Sequence, residues 1–131
     1  MTKVGVVIEF FNPPDAPAPG AFSRATRAGG LVFVSGTGAG NDIGGRAPSG
    51  SAAEQTRQAL RNVEAILKAA GSSLDRVVQV TLLINDPADY AEINAEYVTY
   101  FPNGLPARHT ARFGVPTTAK VAFACIALAG D

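Results

Sequence analysis

One cysteine, Cys125, and one histidine, His109, stand in a chain of 131 residues. A single thiol closes no intrachain disulfide, and one thiol with one imidazole leaves too few ligands for a protein-only zinc site. Charge is also scarce. Asp, Glu, Lys and Arg make up 17% of the residues, and 11 basic side chains cancel 11 acidic ones. No basic stripe, acidic tail or run of one sign is present, which argues against a nucleic-acid footprint. No apolar stretch reaches the ~20 residues of a membrane span, and the first residues lack the basic-then-apolar pattern of a secretory signal. The expectation is a cytoplasmic protein with neither nucleic acid nor membrane as a partner.

Apolar residues are plentiful at 47%, enough to bury a core in a single domain over 1–131. V-G-V-V-I-E-F-F (4–11) reads as a first strand, stopped by the proline-rich 12–20, because proline cannot feed a sheet ladder. Residues 21–28 read as a second strand, Gly29-Gly30 as a turn, and L-V-F-V-S-G (31–36) as a third strand. A loop with six glycines follows, from Gly36 to Gly50. Ser51-Ala-Ala-Glu54 is a capping box. Leu60, Val63, Leu67 and Ala70 continue it at helical spacing, and Gly71 ends the helix. Asp75 to Ile84 is a strand with Val78, Val80, Leu82 and Ile84 on one side. Asp86-Pro87 starts a second helix whose apolar face carries Tyr90, Ile93, Tyr97 and Phe101, closed by Pro102-Asn103-Gly104. A strand over the stretch beginning L-P-A-R-H-T-A-R-F (105–113), the turn G-V-P-T-T and a last strand, 119–128, complete the order β-β-β-α-β-α-β-β.

The strands at 31–34, 77–84 and 121–128 are apolar on both faces, yet two helices cover only one face of such a sheet. The second face needs a cover that the chain does not contain. Another copy of the chain supplies it, so an obligate homo-oligomer is expected.

In the stretch 105–113, period-2 alternation places Arg108, Thr110 and Arg112 on one face and His109, Ala111 and Phe113 on the other. Two arginines two residues apart repel each other unless an anion lies beside them. Arg108, at the start of the strand, is suited to bind a carboxylate with two parallel hydrogen bonds; the competing reading is a surface salt bridge. Arg112 is either a second member of this face or an exposed edge-strand charge.

R-A-G-G-L-V-F-V-S-G, the helix E-Q-T-R-Q-A-L-R-N-V-E-A-I-L-K-A-A-G, D-Y-A-E-I-N-A-E-Y, and P-A-R followed by a final apolar strand together resemble the RidA (YjgF) family, from about Phe22 to Leu128. The resemblance implies a chorismate-mutase-like α+β fold assembled as a homotrimer, with ligand clefts between subunits. It implies hydrolysis of reactive enamines and imines to 2-keto acids and ammonia, with no metal or organic cofactor. Carried over position by position, the Arg that grips the substrate carboxylate falls on Arg108, the candidate catalytic residue. Ser35 and Gly36 of V-S-G, Asn94 of the second helix and Thr110 fall on substrate-binding positions. The N-terminal aromatic falls on Phe22, which lacks the tyrosine hydroxyl of typical deaminases. The glutamate that positions water in typical deaminases falls on Ala122, and the next carboxylate on Ala124. The family's other reported activities, ribonuclease and chaperone behaviour, draw little support from the balanced charge.

The residues by themselves leave several roles open. Asn94 is either bonded to backbone or touches a ligand. Gly36 either lets a ligand approach the backbone or serves the following turn. His109 reads as packed or partly exposed, and Cys125 as an inert core thiol. A bulge-free hairpin between the last two strands would set Ala122 and Ala124 beside Arg108 and Thr110. Glu92, Glu96 and Asp131 are poor substitutes for the missing base. Two function classes follow. One is an enzyme acting on a small carboxylate-bearing imine or enamine. The other is a module that binds or senses a small anion in the same cleft without chemistry.

Overall fold

The computed structural model describes residues 7–13, 20–40 and 49–130. Strands β1 (Glu9–Phe11), β2 (Ala25–Ala28) and β3 (Leu31–Gly38) lead into helix α1 (Ala52–Ala69) and strand β4 (Val77–Ile84). Helix α2 (Tyr90–Tyr97) and strands β5 (Ala107–Arg112) and β6 (Val121–Leu128) follow. This is the expected α+β element order. The strands form one mixed sheet in the order β1-β2-β3-β6-β4-β5. The β4–β5 pair is parallel, and the other neighbours are antiparallel.

Helix α1 begins and ends on signals carried by its own sequence. The Glu54 N–H donates to Ser51 Oγ at 3.1 Å, and the Ser51 N–H donates to a Glu54 carboxylate oxygen at 3.2 Å. Leu60, Val63 and Leu67 are buried, as their spacing requires. At the far end Gly71 has φ +83°, and the Ser72 N–H donates back to the Leu67 carbonyl at 2.8 Å, which uses a carbonyl left over at the helix terminus. Arg27 of β2 donates to the Ala70 carbonyl at 3.1 Å and to Gly130 O at 2.9 Å. A Cβ on Gly71 would fall 2.5 Å from Arg27 Nη1. Gly71→Ala is therefore expected to destabilise the protein by about 1–3 kcal/mol, the cost of a side chain in this backbone region plus the displaced arginine. The check is the urea midpoint at fixed protein concentration, and an unchanged midpoint would show that the turn relaxes freely.

Several boundaries differ from the sequence reading: the third strand runs on to Gly38, the edge strand is trimmed to Ala107–Arg112 and the last strand starts at Val121. The second strand starts at Ala25 instead of residue 21, because the Arg24 N–H is taken by Asn12 Oδ1 at 2.9 Å. The fourth starts at Val77, after a 3-10 turn over Leu74–Arg76. Val78 leaves the core parity, since the pairing with β6 shifts register between Val77 and Gln79, and its side chain is exposed. The second helical segment is divided: 3-10 turns at Pro87–Asp89 and Val98–Tyr100 flank α2. The first strand starts at Glu9 instead of residue 4: Val7 and Ile8 precede it outside the sheet, and residues 4–6 of that expectation lie outside the described residues.

Both helices pack on one face of the sheet. Leu60 and Ile66 of α1 and Ile93 and Tyr97 of α2 share one core with Val32, Val80, Leu82, Val121, Phe123 and Cys125. The opposite face carries Phe10, Phe33 and Ile126 in lateral register across β1, β2, β3 and β6. There Phe33 is 40% exposed and Phe10 is 65% exposed. No helix among the described residues is long and apolar enough to cross a membrane.

Candidate functional site

β5 is the edge strand of the sheet, and its register fixes which face each side chain takes. Arg108, Thr110 and Arg112 pair with Val80, Leu82 and Ile84 of β4, residues buried under the helices. Cross-strand partners share a face, so Arg108 and Thr110 project on the helix side, next to α2. His109 takes the other face. Its Nε2 lies 3.0 Å from Thr81 Oγ1 and its Nδ1 3.5 Å from Gln79 Nε2.

The Arg108 guanidinium lies over the Tyr97 ring, 4.7 Å from its centroid. Tyr97 is fixed from below by ring contacts to Phe101 at 4.9 Å and to Phe123 at 5.7 Å. The hydrophobic core thus fixes the ring over which the arginine lies, and the cation–π contact adds about 0.5–2 kcal/mol. Arg108 Nη2 donates to the Tyr90 hydroxyl at 3.0 Å. Arg108 makes no ion pair among the described residues. Beside it opens a cavity of about 370 Å³ lined by Asn94, Tyr97, Val98, Leu105, Pro106 and Arg108. Among the described residues the lining holds one cation and no carboxylate, so it favours an anion.

Among the described residues, two polar atoms at this cavity are buried without a hydrogen-bond partner: Asn94 Oδ1 and the Tyr97 hydroxyl. Each such group costs about 1–3 kcal/mol until it is satisfied. Burial pushes the Tyr97 phenol above its ordinary pKa, against the opposing charge of Arg108. Tyr90 moves the other way. Asn94 first, then Arg108 and Thr110, pull its phenol below the ordinary value. Two phenols therefore lie against the Arg108 guanidinium, Tyr97 in the cavity lining and Tyr90 beside it, and different surroundings drive them apart.

Arg108, Asn94 and Thr110 come together, and other candidates do not join them within one chain. Ser35 and Gly36 form a bulge in β3, between Val34 and Thr37. The Ser35 hydroxyl donates to Ser23 O at 2.7 Å and its N–H to Arg24 O at 3.0 Å. Phe22, next in the chain to Ser23, is 47% exposed. β3 and β5 are three strand spacings apart in the sheet order, roughly 14 Å at ~4.8 Å per spacing. The placement of Ala122 and Ala124 beside Arg108 and Thr110 is corrected. β5 and β6 are not a hairpin: β4 lies between them, and Ala122 pairs with Leu83 and Ala124 with Thr81. Leu83 and Thr81 pair in turn with Ala111 and His109, so both alanines lie on the face opposite Arg108.

The other charged candidates have structural partners. Glu92 accepts from the Ala53 N–H at 2.6 Å, at the start of α1. Glu96 pairs with Arg57 at 3.4 Å and accepts from the Tyr100 hydroxyl at 3.0 Å. Arg112 donates to Asn85 O at 3.2 Å. Cys125 is buried, and burial pushes its thiol up to about 12, which leaves it protonated and unreactive at neutral pH. Asp131 lies outside the described residues. Tyr90 and Tyr97, read from the sequence as core positions, are the partners of the arginine. Their signal was present as aromatic residues at i and i+7 with Asn94 between them at i+4, one face of a helix.

The family model described as Endoribonuclease L-PSP matches residues 13–128. Reactive Intermediate Deaminase A, chloroplastic, of Arabidopsis thaliana is 39% identical over 121 residues, covering 91% of this chain and 65% of that protein. The 2-iminobutanoate/2-iminopropanoate deaminase of Rattus norvegicus is 34% identical over 127 residues, covering 95% of this chain and 93% of that one. The crystal structure of yeast Mmf1 superposes with a TM-score of 0.84 at 29% identity, covering 94% of this chain and 99% of that one.

Proposed function

Because the chain belongs to the endoribonuclease L-PSP family, the RidA (YjgF) family of the sequence resemblance, we propose that it hydrolyses small carboxylate-bearing imines or enamines. Arg108 grips the substrate carboxylate, and Asn94 and Thr110 hold the reacting end. One observation carries the reading: a guanidinium held over the Tyr97 ring, with no ion pair and no carboxylate at its cavity among the described residues. The names of the Arabidopsis and rat relatives supply the reaction class.

The protein works as a homotrimer in this reading. The apolar face around Phe33 packs against other copies, and the cleft closes where the Arg108 group of one copy meets the Phe22, Ser35 and Gly36 group of another. Ala122, from the uncovered face, contributes a methyl wall where typical deaminases carry a carboxylate. No metal or organic cofactor takes part. The absence of a carboxylate from the cavity also favours a second reading, in which the same cleft binds a small anion without chemistry.

Ammonia release from 2-imino acids generated in situ separates the two. The protein is expected to accelerate release at least several-fold over the unaided hydrolysis that imines undergo in water. A rate equal to the protein-free control, with 2-keto acids still bound, would leave only the binding reading.

A further inference from the structure

We propose that Tyr90 is the proton-transfer residue of this site, acting on the ligand that Arg108 holds. The inference rests on the hydrolase reading above. Hydrolysis of an imine requires a group that gives a proton to nitrogen and takes one from water. Among the described residues the cavity lining supplies no carboxylate and no histidine, and His109 lies on the other face of the sheet with Thr81. Two phenols flank the guanidinium. Tyr97 is 3% exposed and serves as the floor under the guanidinium. Tyr90 is 42% exposed, at the open side of the same guanidinium.

The direction of one hydrogen bond assigns the role. Arg108 Nη2 donates to the Tyr90 oxygen at 3.0 Å, and a guanidinium has no acceptor to offer in return. The phenol proton is therefore not taken by Arg108 and can point at a third group. A substrate carboxylate on the remaining N–H groups of Arg108 brings its own α-carbon and imine nitrogen near that proton. Asn94, Arg108 and Thr110 also favour the phenolate, which brings the donor closer to the strength that proton transfer near neutral pH needs.

The step balances with water as the only co-reactant. Water oxygen forms a bond to the imine carbon, the C=N π pair moves to nitrogen, and nitrogen takes the Tyr90 proton. The phenolate, held by Arg108, then takes the proton shed by the added water, leaving a neutral carbinolamine and the phenol restored. The second half uses the same relay. Nitrogen takes the phenol proton, the C–N bond breaks to release ammonia, and the hydroxyl proton returns to the phenolate as the 2-keto acid forms.

The test compares the wild type, Tyr90→Phe and Arg108→Ala in two assays: ammonia release from 2-imino acids, and binding of pyruvate. Tyr90→Phe is isosteric and the ring is partly exposed, so the fold is retained, which circular dichroism checks. The expected result is a roughly 10²-fold slower release in Tyr90→Phe with pyruvate affinity changed less than about threefold, because Arg108 still makes the charged contact. Arg108→Ala loses both. Release by Tyr90→Phe at the wild-type rate, with Arg108→Ala slow, overturns the role of Tyr90 and leaves the hydrolase reading intact. A wild type no faster than Arg108→Ala overturns both together.

Discussion

Arg108→Ala is expected to weaken 2-keto acid binding by about 10²-fold, a loss of about 3 kcal/mol for a forked, charge-assisted pair of hydrogen bonds. The effect is large because nothing in the cavity stands in for the guanidinium. The lining contributes one cation, and the next arginine on that face, Arg112, is engaged with Asn85 O. The fold is expected to survive, since among the described residues the Arg108 side chain has no ion pair to lose and one hydrogen bond, to Tyr90. Arg108→Lys separates charge from shape. It keeps a point charge but neither the fork nor the contact over the Tyr97 ring, and recovers only part of the affinity. Calorimetric titration with pyruvate or 2-oxobutanoate, at low and at physiological salt, reads both. Equal affinity in wild type and Arg108→Ala would place the anion elsewhere and remove the functional reading.

Phe33→Lys is expected to convert the assembly to monomers at micromolar concentration and to abolish 2-keto acid binding with it. Phe33 points away from the core, 40% exposed, so the substitution leaves the folded chain's own packing in place. In an assembly the new ammonium is buried without a partner, which costs about 3–5 kcal/mol per contact. The apolar burial of the ring, about 1.5–3 kcal/mol, is lost as well. Sedimentation velocity reads the first effect and calorimetry the second. Linkage of the two is the informative part. The Arg108 group and the Phe22–Ser35–Gly36 group lie roughly 14 Å apart across the sheet, and a monomer cannot bring them around one small ligand. A wild-type chain that sediments as a folded monomer would defeat the oligomer. A monomeric Phe33→Lys that still binds pyruvate at wild-type strength would show that the Arg108 cavity is complete by itself.

The site was legible in part, and the parts divide on physical lines. The face shared by Arg108 and Thr110 was readable, because alternation in an extended strand is a local property. Their proximity to Asn94 was implied by the family resemblance and found in the geometry. The tyrosines were recorded as core residues, since an aromatic stripe at helical spacing gives no sign of which ring carries a cation. Tyr97 serves as both, buried against Phe101 and Phe123 on one side and capped by Arg108 on the other. Tyr90, about two turns away on the same helix, is 42% exposed with its ring 5.7 Å from the guanidinium, and that is a matter of where α2 docks.

Ala122 shows the limit most clearly. Sequence parity was right about β6 by itself: Ala122 and Ala124 share a face, and Phe123 and Cys125 take the other. What parity cannot give is the neighbour. Two strands joined by a short turn were assumed to pair, and β4 came between them, which reversed the relation of Ala122 to Arg108.

The sequence alone determined the elements and their sides. Ser51 and Glu54 start a helix, Gly71 stops it, and the doubly apolar strands call for a second cover, all through interactions spanning a few residues. Only the tertiary structure decided which strands lie together, that the guanidinium of β5 rests on the rings of α2, and that the alanines of β6 face away from it. Those relations come from packing contacts between residues far apart in the chain, and no local periodicity encodes them.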